Sequence, residues 1–287
     1  MYKGSVMNQF KAYVMVTRPP NGILMFIGIL AGVALSYSKI IRLEELVYSF
    51  IVAYTLNGSS MVLNDYFDRE IDKINAPHRP LASGLIKPSH AILYSIILAL
   101  IGITFAALIS SYCMIIAIIS YIVAFLYNSS WKKSGLTGNF IVSLVVSAPF
   151  IFGATMSDGY ISERIMIFII PVILSNTGRE IIKGIADIEG DAIRDVKSIA
   201  RIKGADKAAL MGAIFYISAV LFSPIPYFMG LVSQAYLPIV LMADAGFIQC
   251  SIKIIKSPSR ENAIKVKNET LGWMLVALIA YIIGGIL

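Results

Sequence analysis

An all-α, polytopic membrane fold of about nine transmembrane helices around a central cavity is predicted by three observations. The first is bulk character: 57% of the 287 residues are hydrophobic, 14% are charged and the mean hydropathy is +0.78, far more apolar than a soluble domain. The second is a series of apolar runs near the bilayer length of about 20 residues. They fall at 20–38, 45–65, 90–110, 112–128, 137–156, 163–184, 207–224, 234–252 and 270–287. The third is the alternation of basic residues between loops. With the N-terminus cytoplasmic and the C-terminus outside, the inner segments carry Lys3, Lys11 and Arg18; Arg69, Lys73, Arg79 and Lys87; Lys132 and Lys133; Lys183, Arg194, Lys197, Arg201, Lys203 and Lys207; and Lys253, Lys256, Arg260, Lys265 and Lys267. The outer loops hold just Lys39, Arg42 and Arg164, and Arg179 lies within a span. A missed or invented span would destroy that alternation.

The net charge of +7 therefore reads as topology and phosphate binding. Nothing in the chain resembles a nucleic-acid module, and nucleic acid is not expected as a partner. Cys113 and Cys250 sit in apolar runs and give no disulfide framework. The first run lacks a small-x-small cleavage site and is read as a retained span. The chain reads as a single integral-membrane domain, 1–287, in the cell membrane.

Residues 1–18 form a basic, partly amphipathic lead-in suited to the cytoplasmic interface. Pro19, Pro20 and Asn21 open the first span, since proline is tolerated in a first helical turn. Arg18 is thus at its cytoplasmic mouth, as a topological anchor or as a ligand for phosphate or acceptor. Gly28 and Gly32 permit close helix packing. In the second span Asn57, Asn64, Asp68 and Asp72 recur at four- or seven-residue steps, so they line one helical face. This polar stripe is deep at Asn57 and wet at Asp72. N-A-P-H-R-P then breaks the helix. A loop carrying Arg79, Ser83 and Lys87 follows, placed to close over a phosphate group.

The third and fourth spans are joined through Ser110 to Cys113 as a tight hairpin. After the fourth, Tyr127 and Trp131 suit the interface belt, and Lys132, Lys133 and Asn139 add donors on the same side. An aromatic-and-lysine border explains that loop as structure alone; Tyr127, Lys132 and Asn139 are also candidate substrate contacts. The sixth span ends in a second stripe, Asn176, Glu180, Lys183, Asp187 and Asp191. Arg179, Glu180 and Lys183 are costly in a span unless paired or facing water, so a polar cavity is expected to reach them. Asn176 precedes Asp187 by eleven residues, as Asn57 precedes Asp68. That spacing suggests an internal duplication of the second and sixth helices, although Asn64 could pair with Asp187 instead. Asp187, Asp191 and Asp195 repeat the four-residue spacing, followed by Lys197, Arg201 and Lys203. Asp244 is alone in the eighth span, as a buried hydrogen-bond partner or a cavity wall. S-P-S-R-E-N-A-I-K-V-K reads as a polar connector.

Two matched carboxylate clusters, at 64–72 and 187–195, imply two half-sites. Clustered carboxylates beside hydrocarbon repel one another, and divalent cations would offset that charge. Oxygen-only ligands select a hard ion, Mg²⁺ before Zn²⁺. Since Mg²⁺ takes a few carboxylates with water and phosphate oxygens, a phosphorylated substrate is implied. A cation-coupled transporter is the competing class, because intramembrane Asp and Asn often mark ion paths. Its sites tend to lie near the midplane on interrupted helices, whereas both clusters here sit at one face beside base-rich loops.

N-D-Y-F-D-R-E-I-D with R-P-L-A-S-G, then D-I-E-G-D-A-I-R-D with trailing bases, resembles the paired signature motifs of the UbiA superfamily of intramembrane prenyltransferases. The resemblance runs from R-P-P-N through all nine spans. It implies that Mg²⁺ and the two motifs hold a polyprenyl diphosphate whose tail lies in a lipid-facing tunnel, and that the prenyl group passes to a nucleophile. By match, metal roles fall on Asn64, Asp68, Asp72, Asp187, Asp191 and Asp195, with Asp68, Asp72, Asp191 and Asp195 catalytic. Diphosphate contacts fall on Arg79, Lys132, Lys183 and Arg201. Further substrate contacts are expected from Arg18, Asn21, Asn57, Tyr127, Asn139, Arg179 and Lys197. R-E-I-I-K-G-I-A-D-I-E-G-D is similar to the branch that builds archaeal ether lipids, which implies a geranylgeranyl donor and geranylgeranylglyceryl phosphate as acceptor. An aromatic acceptor, as in quinone or chlorophyll synthesis, is the alternative.

The chemistry such a resemblance implies has a physical reason. Breaking an allylic carbon–oxygen bond leaves a delocalised carbocation and a departing diphosphate, so metal and bases must stabilise negative charge. An apolar or aromatic wall keeps water from the cation. No general base is evident.

Overall fold

The computed structural model describes residues 3–38, 41–193 and 195–287, with side chains from Gln9 onward except Asn75. Lys39, Arg194 and the Lys3 side chain, which entered the charge pattern, lie outside the described residues. The elements are α1 (Lys3–Val16), α2 (Pro19–Ala34), α3 (Leu43–Asn75), α4 (Pro88–Ile109), α5 (Ser111–Ser129), α6 (Leu136–Asp158), α7 (Arg164–Ala186), α8 (Ile188–Ile193), α9 (Ile199–Lys203), α10 (Ala205–Phe222), α11 (Ile225–Phe228), α12 (Tyr236–Lys256) and α13 (Arg260–Ile286). Among the described residues there is no strand, and nine helical stretches are long and apolar enough to cross a membrane.

The nine spans close into a ring. Going round it, α3 packs on α4, α4 on α5, α5 on α6, α6 on α7, α7 on α10, α10 on α12, α12 on α13, α13 on α2 and α2 back on α3. Across the ring α2 also meets α6, where Gly32 lies against the Phe150 carbonyl and Gly153 against the Ile29 carbonyl. A side chain at either position would hold the two backbones apart. Large side chains such as Leu100, Ile119, Leu221 and Met242 are exposed on the outside, as lipid-facing surfaces require.

One element boundary differs from expectation. As the stripe and the N-A-P-H-R-P break predict, α3 runs on past the apolar run to Asn75, so Asp68 and Asp72 stand on rigid helix, and it stops at Ala76, before Pro77. The lead-in is the helix α1, whose Ala12 and Val16 pack with Val62, Leu81 and Ile86. The connector reading of 257–267 is wrong, because Ser259 caps a helix that begins at Arg260, its hydroxyl accepting from the Asn262 amide at 3.3 Å. Ser110 alone joins α4 to α5, and its side chain accepts from the Cys113 amide.

Candidate active site

α3 presents the first carboxylate cluster as one continuous face. Asp65, Asp68 and Asp72 are all buried, and each meets a base from elsewhere in the chain. Lys132, in the turn between α5 and α6, places Nζ 2.5 Å from Asp68 Oδ2. Arg79 folds back from the loop after α3 and donates to Asp72 Oδ2 at 2.6 Å, with Asp65 at 3.7 Å. Burial works against the Arg79 charge, but the hydrogen bond to Asp72 and the charges of Asp72, Asp65 and Asp68 outweigh it and raise its pKa. Of the expected lid residues only Arg79 reaches the cluster: Ser83 bonds the Pro80 carbonyl and Lys87 is an exposed residue before α4. Arg18 donates to Asp65 Oδ1 at 2.6 Å. It does so from a left-handed backbone conformation with φ 50, which costs free energy for a residue with a Cβ and is held by that ion pair.

The second cluster is built differently. α7 ends at Ala186, Asp187 caps it, Asp191 lies on the six-residue α8, and Asp195 follows with φ 51. The three aspartates therefore do not share one helical face, which corrects the expectation drawn from their spacing. The break falls at Asp187, whose φ of −109 and ψ of 13 leave the helical region. Asp187 and Asp195 are exposed. Arg201 bonds Asp195 at 3.0 Å and the Val196 carbonyl at 3.1 Å, a local surface arrangement. Lys197 is exposed, and its amide donates to the Lys133 carbonyl at 3.0 Å.

Both clusters meet in a cavity of about 910 Å³. Its lining includes Arg18, Asn21, Asn57, Asn64, Asp68, Asp72, Arg79, Tyr127, Lys132, Asn139, Arg179, Lys183, Asp187 and Asp191. Asp195, Lys197 and Arg201 are the expected site residues that do not line it. Within the cavity Glu180 takes Lys183 at 3.0 Å and Arg179 at 3.4 Å. Arg179 also donates from Nε to the Lys267 carbonyl at 3.2 Å. Asn57 has a buried amide nitrogen with no partner among the described residues. From the charged mouth the walls become apolar toward Ile29, Val52, Ile116 and Phe152. Asp244 lies elsewhere, buried and accepting from the Ser223 hydroxyl at 2.6 Å.

Lining residues outside the expected set include Glu180, Asn128, Arg260 and Lys267. Glu180 was visible in the sequence within the second stripe. Arg260 and Lys267 are seven residues apart, two turns on one face of α13, and the Ser259 cap was the signal for that helix. The cavity offers oxygen ligands of carboxylate and amide type from both clusters, the donor set of a hard cation. Among the described residues no three acids converge as a ready-made metal cage; Asp68 and Asp72 are held by bases instead.

A membrane-embedded cavity with two acidic clusters and a base-rich rim at one end, and apolar walls at the other, defines an enzyme for an amphiphile with an anionic head. The chain belongs to the UbiA prenyltransferase family, whose family model matches residues 25–281, and it is a prenyltransferase. It is similar to the digeranylgeranylglyceryl phosphate synthase of Archaeoglobus fulgidus, with 34% identity over 284 residues, 98% of this chain and 97% of that one. Its fold matches a solved structure described as giving insights into digeranylgeranylglyceryl phosphate synthase in membranes, with TM-score 0.81 and 33% identity over 97% of this chain and 99% of that one. A UbiA homolog from Archaeoglobus fulgidus bound to GPP and Mg²⁺ shares the fold at TM-score 0.71 and 14% identity, covering 94% of this chain and 99% of that one. The family membership removes the transporter reading.

Proposed function

We propose that the chain acts as one catalytic unit in the cell membrane, its cavity mouth toward the cytoplasm. The reaction is Mg²⁺-dependent transfer of a geranylgeranyl group from its diphosphate to the free hydroxyl of geranylgeranylglyceryl phosphate. The observation that carries the acceptor is the distribution of cations. Arg18, Arg79 and Lys132 are each matched to a carboxylate of the first cluster. Arg260 and Lys267 line the same cavity with no carboxylate in ion-pair range among the described residues. A donor diphosphate accounts for one set of bases. The phosphate of a lipid acceptor accounts for the second, and a neutral phenol does not. The names of the relatives support the same acceptor.

In this reading Asn64, Asp68, Asp72, Asp187 and Asp191 face the diphosphate and its Mg²⁺. When bound, the metal neutralises charge gathering on the leaving group. Lys132 and Arg79 turn from their carboxylates to the diphosphate oxygens. The bond from the allylic carbon to the diphosphate oxygen breaks, its electron pair leaving with the diphosphate. The acceptor hydroxyl oxygen then bonds that carbon and gives up its proton to the departed diphosphate, making a second ether. Lys267, Arg179 and Arg260 hold the acceptor phosphate, and the apolar walls keep water from the cation.

Labelled geranylgeranyl diphosphate, incubated with purified enzyme and Mg²⁺, tests this against geranylgeranylglyceryl phosphate and, separately, 4-hydroxybenzoate. Product is expected with the lipid acceptor only and is lost in excess chelator. Product with the aromatic acceptor alone overturns the lipid assignment, and undiminished turnover in chelator overturns the metal.

A further inference from the structure

We infer that the Ser198 hydroxyl donates a hydrogen bond to a phosphate oxygen of the donor's diphosphate, seated over the bare backbone of Gly184. The inference rests on the reading that the cavity takes a prenyl diphosphate. It adds a substrate-binding residue that belongs to neither carboxylate cluster.

Ser198 lines the cavity and is 7% exposed, and its Oγ is buried with no hydrogen-bond partner among the described residues. Its local partner is not used either. With φ −63 and ψ 151 it has the backbone of a residue whose hydroxyl ordinarily accepts from the helix that follows, yet no such bond to α9 is made. Other buried hydroxyls in the bundle are satisfied: Ser143 donates to the Asn139 carbonyl at 2.7 Å and Ser59 to the Ser95 carbonyl at 2.8 Å. A buried hydroxyl without a partner destabilises the empty protein, and a ligand that accepts from it removes that cost.

The backbone that carries Ser198 is anchored from both sides. The Lys197 amide donates to the Lys133 carbonyl at 3.0 Å, and the Ser198 carbonyl accepts from the Ile202 amide at 3.0 Å. Ile199 and Ala200 are packed in one core cluster with Ile181 and Ile185 of α7. Only a rotation about χ1, from one staggered well to another, is needed to turn the hydroxyl into the cavity.

Gly184 supplies the room. It lies in the last turn of α7 and lines the cavity, at a position where glycine weakens a helix relative to alanine. A Cβ there would stand 3.5 Å from Ser198 Cβ, 3.8 Å from Ser198 Oγ and 4.0 Å from Asp191 Oδ2, all ordinary van der Waals contacts. Packing therefore does not require glycine. A methyl group would instead occupy the space that the hydroxyl and the carboxylate flank. An ionised carboxylate only accepts hydrogen bonds, whereas a hydroxyl also donates, so Ser198 is the one of the two that binds a phosphate oxygen directly.

The test compares Ser198→Ala, Ser198→Thr and Gly184→Ala with the wild type. Three quantities are measured: the melting temperature of the ligand-free enzyme in detergent, the Kd of the unreactive geranylgeranyl S-thiolodiphosphate with Mg²⁺, and KM for donor and acceptor separately. Ser198→Ala is expected to melt no lower than the wild type, since the hydroxyl it loses has no partner. It should bind the analogue at least about tenfold more weakly, the scale of one hydrogen bond to a charged group, with KM for the acceptor unchanged. Ser198→Thr keeps the hydroxyl and should restore binding. Gly184→Ala should also melt no lower, yet bind the analogue about tenfold more weakly. Unchanged affinity in Ser198→Ala would overturn the inference, and a lowered melting temperature beside it would show that the hydroxyl serves the fold. Unchanged affinity in Gly184→Ala would overturn the seat over Gly184. A KM change confined to the acceptor would overturn the donor assignment and give the hydroxyl to the acceptor's phosphate. A wild type that does not bind the analogue at all would instead remove the prenyl-diphosphate reading, and the inference with it.

Discussion

The two acidic half-sites have similar sequence spacing and opposite mechanics. In the first, α3 carries Asp65, Asp68 and Asp72 on an unbroken helix, buried and each gripped by Arg18, Arg79 or Lys132. In the second, the helix has ended, Asp191 rides on a short α8 and Asp195 is 75% exposed. Burial and cross-chain ion pairs make the first a preorganised platform; few packed contacts leave the second free to adjust. A site that must bind, enclose and release a diphosphate benefits from having one fixed jaw and one compliant jaw.

That asymmetry gives the largest expected effect. Asp68→Ala removes a cavity carboxylate and leaves Lys132 without its 2.5 Å partner. Since metal-assisted stabilisation of a leaving group is worth several kcal/mol, turnover should fall on the order of 1,000-fold. Asp191→Ala should do the same if both jaws serve one metal-held diphosphate. Folding is checked by thermal melting in detergent. An Asp191→Ala enzyme with near wild-type kcat would confine the chemistry to the fixed jaw and break the two-jaw account.

An intermediate effect is expected where the jaws are joined. Gly135 has φ 66, a conformation that favours glycine, and a Cβ there would press on the Lys197 carbonyl. The Lys197 amide meanwhile bonds the Lys133 carbonyl, next to the residue that grips Asp68. Gly135→Ala should destabilise this junction by about 1–3 kcal/mol, the cost of a non-glycine residue in that region. A lowered melting temperature with raised KM for the donor is the outcome to look for. Unchanged values of both would mean that the jaws do not communicate through this contact.

What could be read from the sequence divides along the same line. The nine spans and the Asn64, Asp68, Asp72 stripe were legible because hydropathy and four-residue spacing are local properties, and α3 obeys helical periodicity throughout. The spacing of Asp187, Asp191 and Asp195 misled, because periodicity assumes a helix that continues and this one stops at Ala186. Gly190, a poor helix former between two acids, was the available warning. The matching of particular bases to particular acids was not legible. Arg18 and Asp65 are 47 residues apart and Lys132 and Asp68 64, so only the closed ring of helices decides those partners. Arg260 and Lys267 were hidden by a polar stretch that resembles a connector until the Ser259 cap is recognised.

The smallest expected effect is the sharpest test of the comparison. Asp195 completes the four-residue spacing, and symmetry with Asp72 would give it an equal share of the chemistry. Its geometry argues otherwise. It stands beyond the end of α8, does not line the cavity, and pairs with Arg201, which also binds the Val196 carbonyl. Exposed ion pairs of this kind contribute little to stability. Asp195→Ala and Arg201→Ala should therefore each change kcat/KM by less than about threefold, an amount equal to under 1 kcal/mol. Measuring both beside Asp72→Ala, which strips Arg79 of its 2.6 Å partner, places the two jaws on one scale. If Asp195→Ala is as damaging as Asp72→Ala, the segment from Ile193 to Ser198 must close onto the bound diphosphate during turnover. The compliant jaw would then carry its third carboxylate into the site only when substrate is present.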